Sequence, residues 1–314
     1  MAILTAERIR EQNRRTTRRE FKRNIWAYVF ISPFYLLYAV FGIFPLIYGL
    51  WLSFHTWDGI SPMAWIGAEN YSTLLTDDIW WKAIYNTIWL FFGATIPQLT
   101  FALILAFIIN STHIWGKDLF RAAYFMPIVA SAVAVSLIFT SLFGERYGML
   151  NYFLSMFGAK PVDWLGNAAW LKPSISLVII WQWTGYSMII FLAGLQSISL
   201  ELYEAARVDG AKTRHIFRHI TLPLLRPVIL FQVVLSIIGA MQLFDIAVML
   251  AGGTQSSAPG GTDRAGLTSM VMLYWTAFKY GQFGYAAAMA FVLFILIVTF
   301  SFLYNSWQGR NPTD

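Results

Sequence analysis

The chain has 314 residues, 58% of them hydrophobic and 12% charged, with a net charge of +6. Soluble domains carry about a quarter charged residues, so this composition excludes an ordinary soluble domain. There is no cysteine, which excludes disulfides and thiolate metal sites.

In chain order, residues 1–25 are a basic tail holding Arg8, Arg10, Arg14, Arg15, Arg18, Arg19, Lys22 and Arg23. Six stretches then reach the ~20 apolar residues that a helix needs to cross a hydrocarbon core of ~30 Å. They run approximately 28–54, 86–109, 122–143, 174–195, 225–250 and 285–307. Pro33 and Pro45 in the first and Pro97 in the second read as kinks, which membrane helices tolerate. The first stretch is too long for a signal-peptide core and lacks a small-residue cleavage pattern, so it counts as a span. The expected fold is therefore all-α: a polytopic membrane protein with a six-helix domain over 26–307 and a short C-terminal tail, 308–314.

Lys and Arg set the orientation. The N-terminal tail, Lys117, Arg121, Arg207, Lys212, Arg214, Arg218, Arg226 and Arg310 place sixteen on one side. Lys82, Arg146, Lys160, Lys172, Arg264 and Lys279 place six on the other. Both termini are expected to be cytoplasmic. The same asymmetry accounts for the positive charge without nucleic acid. The tail can also meet anionic lipid, although topology alone explains it. His215 and His219 have i, i+4 spacing, but they lie in a basic segment without a carboxylate, so no metal is expected.

The outer connections have content of their own. Residues 55–85 carry Trp57, Trp65, Trp80 and Trp81, rings suited to a membrane–water interface. Residues 144–173, with Asn151, Pro161 and Trp164, suffice for a short interfacial helix and a loop. Residues 251–263 are rich in Gly, Ser and Thr and read as mobile. These segments are either plain linkers or a landing surface for an external partner.

The fourth connection, about 197–222, lies on the cytoplasmic side. Ser199 suits an N-cap, Glu201 a first turn, and Leu200–Val208 a helix. Gly210 permits a reversal, Lys212–His219 reads as a second short helix, and Pro223 as the start of the next span. Leu202, Ala205 and Ala206 form a small apolar stripe that would otherwise face water.

Glu204-Ala205-Ala206, then Gly210, then Ile220-Thr221-Leu222-Pro223 resembles the EAA signature of ABC importer permeases, with every position filled at its usual spacing. Four further runs are similar to the sugar-permease branch of maltose and glycerol-phosphate type: Trp65–Tyr71 (WIGAENY), Arg121–Pro127 (RAAYFMP), Ala193–Ile198 (AGLQSI) and Phe244-Asp245. The resemblance covers about 33–306 and implies the type I ABC importer permease fold. It also implies that Glu204, Ala205, Ala206, Asp209, Gly210, Ile220, Leu222 and Pro223 form the joint to an ATPase. In the family, the glutamate pairs with a basic residue there and the glycine sets the bend. Two departures stand out. Leu200 occupies a position that is often proline. Ala251-Gly252-Gly253-Thr254 begins a longer insertion than usual.

No G-x-x-x-x-G-K-[ST] loop occurs, so this chain is expected to bind no ATP and to be non-catalytic. ATP and Mg²⁺ would belong to two partner ATPases. A second permease and an extracytoplasmic binding protein complete the implied assembly, in a prokaryotic cytoplasmic membrane. Polar groups inside the spans are candidates for the substrate pathway. They are Asp245 with Gln242 three residues earlier, Gln182 and Tyr186 beside Trp181 and Trp183, and Gln98. Amides, an acid and aromatic faces suit hydroxyl-rich ligands, although buried Gln also ties helices together and Trp and Tyr also form belts. Ala286 and Ala290 read as close helix packing. An ion-coupled secondary transporter, an ion channel, a membrane-embedded enzyme and a permease for a polyol or glycerol phosphate are the rival readings. The sugar carried is not specified by the sequence.

Overall fold

The computed structural model describes residues 24–110, 116–253 and 258–309. The basic tail as far as Arg23, part of the 251–263 loop and Arg310 lie outside the described residues.

Among the described residues, five helices are long and apolar enough to cross a membrane: α1 (Ile25–Leu52), α3 (Asp78–Asn110), α7 (Ala168–Gln196), α9 (Thr213–Met241) and α12 (Phe283–Gly309). Two shorter helices, α4 (Lys117–Val129) and α5 (Ala132–Leu142), pass the same test only as a pair bent by 96°. The chain is thus a mostly helical, multi-pass membrane protein with five such spans, or six if the bent pair is one.

The expected third span, 122–143, is not one continuous helix. Pro127 has no N–H to give the last turn of α4, and the chain turns extended at Ala130 and Ser131. Ser131 then starts a new helix, its Oγ accepting from the Ala134 N–H at 3.2 Å. The expected fifth span, 225–250, is corrected at both ends. Its helix begins at Thr213, so Lys212–His219 is not a separate helix and Pro223 does not open the span. A wide π-turn at Phe217–Thr221 ends two residues before the proline. At the other end α9 stops at Met241, and α10 (Asp245–Leu250) follows a three-residue break. The carbonyls freed there find hydroxyls elsewhere: Thr268 Oγ1 donates to Leu243 O at 2.6 Å and Ser269 Oγ to Met241 O at 3.1 Å. In a bilayer such groups have no water to fall back on.

Other boundaries move outward because polar loop residues cap the helices. Asp77 Oδ1 accepts from Ile79 and Trp80 at the head of α3. Asn167 Oδ1 accepts from Ala169 at the head of α7, which therefore starts well before Pro173.

The centre of the bundle is the α3–α7 pair, and three features hold α4, α9 and α12 against it. A Cβ on Gly185 of α7 would overlap the Tyr124 carbonyl of α4, so only glycine allows that crossing. Gly194 likewise admits Leu225 and Val228 of α9. Tyr285 at the head of α12 donates to Asp77 Oδ2 at 2.8 Å. Ala286 is buried and Ala290 half-buried in α12. By contrast α1 buries almost nothing against the rest of the chain.

Two of the long connections, 55–85 and 144–173, are built, not slack. Strands β1 (His55–Thr56) and β2 (Ala64–Trp65) pair antiparallel, His55 opposite Trp65. The following helix α2 (Glu69–Thr76) carries Asn70, whose amide donates to Ser53 O at 2.8 Å and His55 O at 2.9 Å. That accounts for the Asn within the 65–71 run. In the connection after α5, Asn151 sits on α6 (Met149–Met156), a short helix where the sequence reads one. Its amide donates to Glu145 O and Val162 O, and its oxygen accepts from Val162 N and Trp164 Nε1, all at 2.8–3.0 Å. A last short helix, α11 (Ser269–Tyr274), precedes α12.

Candidate functional site

Two sites matter, one at each end of α9. The first is α8 (Leu200–Val208) and the turn after it. Ser199 Oγ accepts from Glu201 N at 3.3 Å, and Glu201 occupies the first turn. The helix closes with a paired C-cap: Gly210 N donates to Arg207 O at 3.0 Å and Ala211 N to Ala206 O at 2.9 Å. That geometry needs a left-handed residue, and Gly210 has φ +76°. No residue of α8 is buried; Leu200, Leu202 and Val208 are exposed, as are Glu204, Ala205 and Asp209. The apolar stripe therefore faces outward, and among the described residues Glu204 has no ion-pair partner. Tyr203 ties the helix to the foot of α9 through a 3.2 Å bond to Thr221 Oγ1. Ile220 and Leu222 are half-buried at that foot and Pro223 is exposed. The rings of His215 and His219 stack 4.0 Å apart, and His219 Nδ1 bonds to His215 O.

The second site is a cavity of about 440 Å³ between α3, α7 and α9, closed at one end by the α9–α10 break. Six sequence-predicted residues line it: Gln98, Gln182, Trp183, Tyr186, Gln242 and Asp245. Trp181 does not; it points the other way, edge-on to Phe139 of α5 at 5.3 Å between ring centres. Gln242 and Asp245 reach the cavity from opposite sides of the break, not from one helical face, and Asp245 heads α10 instead of lying within a span. Two of the amides are already engaged. Gln98 Nε2 donates to Ser187 Oγ at 2.7 Å and Trp183 O at 3.2 Å, tying α3 to α7. Gln182 Nε2 reaches Ala130 O, the carbonyl exposed by the α4–α5 bend, at 3.4 Å.

Sequence reasoning missed Thr95, Ser187, Gln232 and Ser236, which also line the cavity. Gln232 and Ser236 are one turn apart on α9, so they lie on one face. Their spacing was a usable signal. The expected start of the span left both inside it, where a polar residue is costly. The lining mixes this polar set with Leu90, Ile179, Leu235, Ile238 and Phe244. Such a site can orient a polar solute by hydrogen bonds and hold its apolar faces.

Residues 88–310 match the family described as binding-protein-dependent transport system inner membrane component. The chain belongs to that family. Its relatives include the lactose transport system permease protein LacF of Rhizobium radiobacter, 36% identical over 92% of this chain and 96% of that protein. The arabinooligosaccharides transport system permease protein AraP of Bacillus subtilis is 35% identical over 90% and 88%. The trehalose/maltose transport system permease protein MalF of Thermococcus litoralis is 31% identical over 93% and 96%. The fold is that of a chain in the crystal structure of a bacterial ABC transporter involved in the import of the acidic polysaccharide alginate. The TM-score is 0.81 at 23% identity, covering 94% of this chain and 99% of that one. A second crystal structure, of the alginate ABC transporter in complex with an alginate pentasaccharide-bound periplasmic protein, gives 0.80, again at 23% identity, over 93% and 96%.

Proposed function

We propose that this chain is the permease subunit of an ATP-driven importer of sugars or oligosaccharides in a prokaryotic cytoplasmic membrane, with both termini cytoplasmic. A second related permease, two ATPase subunits holding ATP and Mg²⁺, and an extracytoplasmic binding protein complete the machine. This chain is its non-catalytic, solute-conducting part. The transport names of the lactose, arabinooligosaccharide and trehalose/maltose relatives support the solute class.

One observation carries the coupling mechanism. The exposed helix α8 is joined through Gly210 to the helix that bears Gln232 and Ser236 in the cavity wall. From Thr213 to Gln232 that helix spans about 30 Å at 1.5 Å per residue. An ATPase that grips α8 and closes on ATP thus acts on a rigid lever whose far end is the cavity. Two packed arrangements of the bundle, inward- and outward-facing, would be exchanged in this way. In this scheme Glu204, Ala205, Ala206 and Asp209 meet the ATPase, while Gly210, Ile220, Leu222 and Pro223 set the angle between α8 and α9. Asp245, Gln242, Tyr186 and Trp183 face the solute; Gln98 and Gln182 shape the wall.

The test is reconstitution of the full complex with its binding protein in proteoliposomes. Uptake should require ATP, and Glu204→Lys should lower it about 30-fold or more. That factor is the low end of the about 2–5 kcal/mol that losing one partner of a buried interfacial charge pair costs. Insertion of the mutant should be normal. Uptake driven by an ion gradient without the ATPase would instead establish a secondary transporter.

A further inference from the structure

We infer that Gln232 is a ligand-contacting residue of the cavity, and that the cavity selects neutral polyhydroxyl solutes over acidic ones. This rests on the reading of the cavity as a sugar pathway and adds to it which residue contacts the solute and what charge the solute bears.

The cavity's amides fall into two groups. Gln98 and Gln182 spend their N–H donors on Ser187, Trp183 and Ala130, so they are helix ties. Gln232 is only 2% exposed, lies on the cavity wall, and makes no hydrogen bond among the described residues. A primary amide in a spanning helix with no protein partner among the described residues has only the cavity to turn its donors and acceptor toward. An amide supplies two donors and an acceptor, a set that matches adjacent hydroxyls of a sugar ring. Ser236, one turn further along α9, extends the same polar strip toward Gln242.

The charge argument comes from the rest of the wall. Among the described residues no Lys, Arg or His lines the cavity, and the one formally charged side chain there is that of Asp245. A uronate or a phosphorylated sugar would enter a low-dielectric space with no cation to meet it and one anion to repel it. A neutral sugar meets only hydrogen-bonding groups and ring faces.

The test uses purified permease–ATPase complex without binding protein, with lactose and lactobionate as probes: one disaccharide frame, neutral and acidic. Ligand-dependent thermal shift should give an affinity for lactose at least tenfold above that for lactobionate. Gln232→Leu should weaken lactose about tenfold and leave the apparent melting temperature of the ligand-free complex at or above that of the wild type, since the amide makes no tie within the chain among the described residues. Gln98→Leu should lower that melting temperature, because it breaks a tie. A fall in melting temperature for Gln232→Leu with lactose affinity unchanged would make Gln232 structural and overturn its assignment. Equal affinities for the two probes would overturn the charge selection. Both results would leave the proposed function standing, whereas absence of any ATP-dependent sugar uptake by the reconstituted wild-type complex would remove it.

Discussion

Substitution at Gly210 tests the lever most directly, because its cost can be isolated. The residue sits at φ +76°, and nothing lies within 4 Å of where a Cβ would stand. Alanine there meets no clash, so the penalty is the left-handed conformation itself, about 1–2 kcal/mol. At 1.4 kcal/mol per factor of ten, the bent state loses about 5- to 30-fold in population. Asparagine, which tolerates this conformation, should cost less, and valine, branched at Cβ, more. Gly67 is a matched control: φ +61° and equally empty surroundings, but between β2 and α2 instead of beside α8. Gly67→Ala should therefore carry a similar conformational penalty and leave the ATPase joint alone. The assay titrates ATPase subunits onto permease in nanodiscs and measures coupled uptake in proteoliposomes. Affinity and uptake should fall in the order Gly, Asn, Ala, Val at position 210 and remain at wild-type level in Gly67→Ala. Wild-type coupling in Gly210→Val, or an equal loss from Gly67→Ala, would refute the claim that this bend transmits force.

Two further substitutions probe the scaffold. Gly185→Ala puts a methyl group into the Tyr124 carbonyl at the α4–α7 crossing, where backbone must move; a loss of about 1–3 kcal/mol or more should appear as poor yield and a lowered melting temperature. Gly239→Ala, in an open stretch of α9, should be neutral or stabilise by up to about 1 kcal/mol, so a loss equal to that of Gly185→Ala would contradict the crossing argument. Asn151→Leu strips the loop after α6 of its amide anchor and leaves the half-buried Val162 N–H and carbonyl groups without that partner, at up to about 1–3 kcal/mol for each. Limited proteolysis should then cut residues 157–163 faster while insertion stays normal.

What was legible in the sequence was local, and what was not depended on partners far along the chain. The spans announced themselves because a helix in lipid needs its own ~20 apolar residues. The turn after α8 was legible for the same reason: Ser199 caps its neighbour and Gly210 closes a bend within five residues. The breaks were different. A helix can end at Met241 inside the bundle only because Thr268 and Ser269, more than twenty residues on, take the loose carbonyls. The bend at Ala130 likewise has its carbonyl met by Gln182, 52 residues away. Nothing near Leu243 or Ala130 in sequence advertises such help, so continuous apolar stretches read as continuous helices. The same physics separates the glutamines. Gln98, Gln182 and Gln232 look alike as isolated amides in apolar runs, and each is under 6% exposed. Whether such an amide is a tie or a free hand for solute is decided by what the neighbouring helix offers at hydrogen-bonding distance. Two of the three are met there, and the third faces the space where a solute would sit.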